Sequence, residues 1–514
     1  MSRVISVFFL AATFFGQFAY AQQNHLWCGT VGEDAAIIQE RLRENKAALL
    51  NNPVVTRDIM YVPVKFHLVA KTDGTGMVAK HRVLDQLCIM NEDYAELGIQ
   101  FYIKNGFNYI YNNTVYSNHQ ATQNTIMTFQ RDNSAINIYL PENADPPNQT
   151  GPGVVLGYYS PIKDWLVIAK GEVGKQGLTF THEMGHFFSL NHPFYGWEPD
   201  PWNDTDHGNP VMMTIAPDGF TPIELVNGSN CETAGDEVCD TPADYLFGFG
   251  WDNCDYTPDV RDRNNQQLDP DERLWMNYFF GCNANEYYFT DMQQQLIIQD
   301  YNSSRRNYIR SSFVPTLTEI TETPTLVSPA NTEQLEFYNN INLEWTEVPG
   351  AEAYILQIAL VPTFPASTLT VYDEVVYGTS KVISGLEANR TYYWRVRPFS
   401  AYRTCTDFSN TINFKTGALV SSRDNELVEL FNVSPNPIPN GQELTVSIRS
   451  GNSFESRLRL FNITGQAVRD FGSFTVQTGP NNFALPINGL DAGVYLLALD
   501  SEQGQIFQRV VVAR

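Results

Sequence analysis

Positive charge is scarce in this chain. Lys and Arg number 33 against 57 Asp and Glu in 514 residues, a formal net charge of −24. Binding to nucleic acid in general, or to anionic membranes, needs clustered positive charge, so the composition argues against both. Charged residues of either sign make up only 18%, while aromatics reach 13%. That balance suits packed cores better than a disordered polyelectrolyte. Cysteine is sparse as well: seven residues spread over the whole length do not make a small disulfide-stapled scaffold. Beyond the N-terminal segment no apolar run approaches the roughly 18 residues that a membrane helix needs. Tandem repeats and long low-complexity tracts are missing too. The length implies about three domains.

Residues 1–21 have the features of a secretory signal peptide: Arg3, an apolar core from Ile5 to Phe15, and small residues at Ala19-Tyr20-Ala21 before Gln22. Export permits disulfides. A short polar segment, 22–57, follows, with a helix expected over Glu33 to Asn51. From 58 to 313, strand and helix patterns alternate. Strands are expected at Val62–Val69, Ile99–Ile103, Ala135–Leu140 and Trp165–Ala169, and a helix at His81–Leu97. This predicts a mixed α/β domain. A linker at 314–322 opens a Pro- and Thr-rich stretch. Short strands at Ile341–Trp345, Ala353–Ala359, Thr391–Val396 and Thr411–Phe414 predict a β-sandwich over 323–417. A second linker, 418–428, leads to a last β-rich unit, 429–514. Alternation there falls at Leu444–Ile448, Leu458–Phe461, Val494–Leu499 and Phe507–Val512. The expected fold is thus multidomain, an α/β domain followed by two β-sandwiches.

The stretch that carries chemistry is Thr179-Phe180-Thr181-His182-Glu183-Met184-Gly185-His186-Phe187-Phe188-Ser189-Leu190-Asn191-His192. On a helix, His182 and His186 project from one face, one turn apart. That spacing lets two neutral imidazoles bind one Zn²⁺ at about 2.0–2.1 Å. Glu183 can reach a metal-activated water without being a ligand. His192, six residues beyond His186, supplies a third nitrogen if the chain bends back after Phe188. Three ligands leave a position open, as a catalytic zinc site requires. The expected reaction is peptide-bond hydrolysis, with Glu183 as general base. A structural zinc site is the weaker alternative, because such sites prefer four protein ligands, usually including Cys.

His182-Glu183-x-x-His186-x-x-Ser189-x-x-His192 resembles the extended zinc motif of metzincins, H-E-x-x-H-x-x-G-x-x-H. Ser189 stands where the family has Gly, at a turn that usually needs a left-handed backbone. Over roughly residues 25–310 the chain resembles the pappalysin group of these metalloproteases. Gly235-Asp236-Glu237-Val238-Cys239-Asp240-Thr241-Pro242 is similar to a G-D-x-V-x-D-T-P signature of the group, and Leu274-Trp275-Met276-Asn277-Tyr278 to its Met-turn. The resemblance implies that Met276 lies beneath the zinc ligands and that Tyr278 stabilises the tetrahedral intermediate. It also implies calcium at Asp236, Asp240 and Thr241, the alternative being an Asp-rich loop bonded to its own backbone. The group's preference for a basic residue after the cleaved bond is read by an acid shortly after the Met-turn. Phe279-Phe280-Gly281-Cys282-Asn283 offers none, so that preference is not carried over.

Cys231, Cys239, Cys254 and Cys282 predict two disulfides, with three connectivities open. Resemblance to the group implies Cys231 with Cys254 and Cys239 with Cys282. Cys28 resembles the cysteine of pappalysin-group propeptides. Its thiolate could fill the open zinc position and keep a zymogen latent, or it could pair with Cys88. Residues 323–417 resemble a fibronectin type III domain, with a Leu386/Tyr392 spacing like a tyrosine corner. Its expected role is a spacer, or else adhesion. Residues 429–514, from Val433-Ser434-Pro435-Asn436-Pro437 to Val510-Val511-Val512-Ala513-Arg514, resemble the C-terminal sorting domain of type IX secretion. Together these features imply a secreted or surface-located zinc metalloendopeptidase. Its partners would be protein or peptide substrates and the type IX secretion machinery. The alternative is an adhesin or binding protein whose protease core is inactive.

Overall fold

The computed structural model describes residues 26–51, 59–145, 154–174, 178–247, 254–279, 281–311, 314–315, 317–419, 428–439, 442–463, 465–501 and 504–513. The signal peptide expected at 1–21, residues 52–57, Phe280 and most of the second linker lie outside the described residues. No helix among the described residues is long and apolar enough to cross a membrane.

The N-terminal unit is built on a seven-stranded sheet. Its strands are β1 (Leu26–Cys28), β2 (Met60–Ala70), β3 (Ile99–Ile103), β4 (Asn108–Tyr111), β5 (Ile136–Leu140), β6 (Val154–Ser160) and β7 (Trp165–Ile168). They run β1-β6-β7-β5-β2-β3, and β4 pairs with the far end of β2. All pairs are parallel except β6 with β7. Central strands of such a sheet are covered on both faces, which explains why every residue of β5 and β7 is buried and why β7 is apolar throughout. Helix α1 (Glu33–Asn51) begins with two acids, which suit the positive end of a helix dipole. It buries Ala35, Ile38 and Leu42. Helix α2 (Lys80–Asp93) buries Val83, Leu84, Leu87 and Met90 on one stripe, and a tight turn over Ala95–Leu97 ends at left-handed Gly98. Helices α3 (Thr179–Phe187) and α4 (Asp291–Asn302) complete the frame. Thr290 and Gln293 form a capping box at the start of α4.

The second unit has two sheets. The strands are β8 (Leu326–Ser328), β9 (Glu333–Gln334), β10 (Ile341–Trp345), β11 (Ala353–Ala359), β12 (Thr370–Val376), β13 (Ser380–Ile383), β14 (Thr391–Phe399) and β15 (Ile412–Lys415). They form a three-stranded sheet, β13-β10-β8, and a five-stranded one, β12-β11-β14-β15-β9. Trp345, Leu356, Trp394 and Phe414 fill the core between them. The buried Tyr392 hydroxyl accepts a hydrogen bond from the Glu387 amide at 2.9 Å, a tyrosine corner. The third unit, from Val428 to Ala513, is again a pair of sheets, of three and five strands, around Val446, Leu460, Leu497 and Val510. The chain is therefore a mixed α/β unit followed by β-sheet-rich units of sandwich type.

The cysteine pairing differs from the one the family resemblance implied. Cys231 bonds Cys239 and Cys254 bonds Cys282, not Cys231 with Cys254 and Cys239 with Cys282. The turn at Cys231–Thr233 folds the chain back, so that the first pair closes a loop only eight residues long, and a short closure costs little chain entropy. Cys88 bonds Cys405 of the second unit, which leaves Cys28 free and buried.

Candidate metal centre

Helix α3 packs against β6 and β7, with Thr179 and Glu183 beside Gly157 of β6. It places His182 and His186 on one face and ends at Phe188. Ser189 then adopts φ +67°, the left-handed conformation in which the related motif has glycine. The turn is closed by the Ser189 amide on His186 O and the Leu190 amide on Gly185 O, both at 3.0 Å. A left-handed serine costs on the order of 1 kcal/mol. Its hydroxyl recovers that cost by donating to buried Asp300 Oδ1 at 2.8 Å, since a hydrogen bond to a charged group contributes about 1.5–3 kcal/mol. Burial would raise the Asp300 carboxyl, but the Arg306 guanidinium at 2.7 Å and the surrounding hydrogen bonds hold it below the usual carboxylate range. The departure at Ser189 therefore leaves the bend intact, and His192 arrives where the spacing required it.

Three imidazole nitrogens meet. His182 Nε2 and His186 Nε2 each lie 3.1 Å from His192 Nε2, and Cys28 Sγ lies 3.3 Å from His186 Nε2. The four ligand atoms lie within 4.8 Å of one another, and all four residues are buried. The outer nitrogens are each held by oxygen. His182 Nδ1 donates to Trp275 O at 2.8 Å, His186 Nδ1 to Leu190 O at 2.7 Å, and His192 Nδ1 to Glu198 Oε1 at 3.0 Å. A carbonyl can only accept, so those Nδ1 atoms carry the protons and the Nε2 lone pairs point inward. Burial and the neighbouring imidazoles push His182 down to about 3 and His186 well below its usual value, and burial alone pushes His192 to about 3. All three stay neutral, as metal ligation requires. Inward lone pairs at 3.1 Å repel unless a cation lies between them. A tetrahedron of bonds at 2.0–2.1 Å has edges of about 3.3–3.4 Å, so the donor set fits Zn²⁺ in size and chemistry.

Glu183 lies beside this cluster. Its Oε2 accepts from Thr30 Oγ1 at 3.2 Å, and burial pushes its carboxyl up to about 8 against hydrogen bonds from Cys28 and Thr30. The Cys28 thiol is pushed well up by burial and then by the charge of Glu183. The segment Cys28–Thr30 is seated on the sheet edge: β1 pairs with β6, and the Gly29 amide donates to Gly157 O at 2.8 Å. What remains of the cleft is a cavity of about 20 Å³ lined by Leu156, Leu178, Thr179, Asn277 and Tyr278 beside Cys28, His182 and Glu183. Tyr278 packs edge-on against His192 with ring centroids 5.0 Å apart, and its hydroxyl lies 3.5 Å from Cys28 O. Met276 is fully buried beneath α3. A Cβ on Gly185 would come within 2.3 Å of Met276 Sδ, so the glycine is what lets Met276 pack against the helix.

The 236–241 loop forms differently from a simple ligand set. Asp236 Oδ1 accepts from the Val238 amide and Thr241 Oγ1, both at 3.0 Å. Asp240 turns away and accepts from Thr290 Oγ1 at 2.6 Å and the Met292 amide at 2.7 Å, at the start of α4. The structure thus brings Asp236 and Thr241 together and sends Asp240 to a helix terminus. Sequence reasoning missed Glu198, although an acid six residues after His192 was the available signal. It also missed Thr30, Asp300 and Glu224. Glu224 Oε2 is buried with no hydrogen-bond partner among the described residues, and burial and the charge of Asp236 push its carboxyl up to about 9.

Comparison with known proteins adds two findings. An extracellular metalloprotease of Pyricularia oryzae is 24% identical over 308 residues, covering 55% of this chain and 94% of that protein. An extracellular metalloprotease of Colletotrichum graminicola is 25% identical over 269 residues, covering 48% of this chain and 77% of its own length. The chain thus carries a buried His/Cys cluster able to hold a metal ion and has weak homology to extracellular metalloproteases. At the other end, residues 432–513 match the family described as the secretion system C-terminal sorting domain, of the kind type IX secretion uses. Among solved structures, the Clostridium thermocellum CbhA fibronectin(III)-like modules align at 12% identity over 37% of this chain and 94% of that one, with a TM-score of 0.15. The sixth fibronectin type III domain of a human protein aligns at 17% over 22% of this chain and 100% of that one, also at 0.15. At such scores the fold of the second unit rests on the strand pairings above.

Three substitutions test this geometry. Ser189→Ala keeps the left-handed backbone and loses the bond to Asp300, so it should destabilise the protein by about 2 kcal/mol in denaturant unfolding. Ser189→Gly should cost about 1 kcal/mol less than that, because it relieves the backbone. Gly185→Ala should drive Met276 away from α3 and cost about 1–3 kcal/mol, with weaker zinc retention in metal analysis.

Proposed function

We propose that the chain is a secreted zinc-dependent metalloendopeptidase of the metzincin, pappalysin-like type, in a latent form. The observation that carries this reading is the convergence of three Nε2 atoms beside one buried carboxylate. His182, His186 and His192 would hold the zinc, and Cys28 would complete the set. When bound, zinc supplies Lewis acidity towards a water and towards the scissile carbonyl. Glu183 accepts the proton of the attacking water and returns it to the leaving amine. Tyr278, freed from the Cys28 carbonyl, donates its hydroxyl to the oxygen that gains charge. Glu198 and the Trp275 and Leu190 carbonyls hold the imidazoles in the ligating tautomer.

In this reading residues 1–21 direct export and 22–57 are a propeptide, removed with Cys28 on activation. Residues 58–313 are the catalytic domain, 323–417 a fibronectin type III-like domain and 429–514 a sorting domain that engages the type IX secretion machinery. Substrates are extracellular proteins or peptides. Calcium at Asp236 and Thr241 belongs to the same reading, supported by the neighbouring Glu224 oxygen, which has no hydrogen-bond partner among the described residues. Asp240 is the weakest member of that set, given its place at α4.

Glu183→Ala should keep its zinc in metal analysis and lose about 10²–10⁴-fold in chelator-sensitive cleavage of a generic protein substrate. Full activity in that variant would remove Glu183 as the base. Cys28→Ala should show cleavage without a lag and before any N-terminal processing. A lag equal to that of the unaltered chain would rule out latency through Cys28.

A further inference from the structure

The fibronectin-like unit does not hang from its linker. Cys88 on α2 is disulfide-bonded to Cys405, 317 residues later. Beside that bond, nearly buried Arg397 pairs with Asp85 at 2.6 Å, also on α2. Buried Lys80, at the start of α2, donates to Asp373 O and lies 3.5 Å from Glu374. The Ile103 amide at the end of β3 donates to Ala401 O at 3.0 Å. The contact is apolar as well as polar: Ala353, Ile355 and Phe399 belong to the same continuous core as Val83, Leu87 and the seven-stranded sheet.

The other end of this chain of contacts is the metal centre. Tyr94, which caps α2, donates its hydroxyl to Thr181 O at 3.1 Å, and Asp93 accepts from Thr181 Oγ1. Thr181 immediately precedes His182. Helix α2 is therefore clamped between the second unit on one side and α3 on the other.

We infer that the fibronectin-like unit is a brace for the zinc-binding helix, acting through α2 and latched by Cys88–Cys405, rather than a spacer. Asp85 and Arg397 are positioning residues within this brace. Cutting the latch frees a long loop in the unfolded chain, and removing one partner of the Asp85–Arg397 pair leaves a desolvated charge. Either change should loosen α2 and, with it, α3. The effect on catalysis rests on the peptidase reading; the effect on α3 does not.

The test uses the full chain carrying Cys88→Ser with Cys405→Ser, and separately Asp85→Ala and Asp85→Glu with the disulfide intact. Hydrogen exchange of the amides in 179–187 is measured well below the unfolding temperature, together with kcat and KM of the activated protein. The brace predicts exchange faster by about tenfold or more in the double variant and in Asp85→Ala, with partial recovery in Asp85→Glu. It also predicts a several-fold lower kcat at unchanged KM. If exchange in 179–187 matches the unaltered chain while the second unit alone loosens, the unit is a spacer and the inference is overturned. If exchange rises but the unaltered chain cleaves nothing, the peptidase reading fails and the brace stands. Asp85→Ala keeps the question answerable should the double variant not fold.

Discussion

Two imidazole nitrogens, His182 Nε2 and His186 Nε2, each turned towards His192 Nε2 across 3.1 Å, are the constraint around which the N-terminal unit is organised. In a buried, low-dielectric site such an arrangement is unfavourable without a cation, because the repulsion is poorly screened there. The fold nevertheless enforces it. Each imidazole is pinned from behind by an oxygen acceptor, each acceptor comes from a different stretch of chain, and the helix that carries two of the rings is pressed on one face by Met276 and on the other by the sheet. Rigidity of this kind sets the geometry before any ligand arrives.

The occupied cleft follows from the same centre. Cys28 is the one thiol left out of the three disulfides, and it is also the one that reaches the imidazoles. Thr30, two residues on, bonds both the carboxyl of Glu183 and the backbone of Tyr159. A single short segment thus engages the ligand set, the neighbouring carboxylate and the strand edge together. Helix α1, which follows it, is anchored through Asn45 to the same Asp300 that receives the Ser189 hydroxyl.

Much of this was legible in the residues. The helix expected at Glu33–Asn51 and the strands expected at Ile99–Ile103, Ile341–Trp345 and Ala353–Ala359 have those bounds in the structure, because each has a clear period and a clear stop. The strand β6 was not read, because Gly157 interrupts it and both its faces are covered, which removes the alternation that marks a half-exposed strand. The edge strands β12, Ala467–Val476 and Gly479–Pro486 were missed as well; their mixed polar surfaces give little contrast. The meeting of His182, His186 and His192 was legible in their spacing, and so was the bend at Ser189. Ligand support from carbonyls has no side-chain signature and could not be read. Cysteine pairing failed for a related reason: four cysteines fix a count, whereas connectivity depends on which turns bring Cα atoms to about 5 Å. The docking of the second unit was hidden because Asp85, Lys80 and Arg397 look like ordinary surface charges until a partner covers them.

The covalent joint between the first two units has one more outcome. Because Cys88 and Cys405 lie on opposite sides of the connecting stretch, a proteolytic nick there severs the polypeptide without separating its pieces. On a denaturing gel without reductant the nicked molecule would migrate as a single species, and only thiol treatment would reveal two bands. A secreted protein exposed to proteases can in this way lose its continuity between two units and keep its architecture.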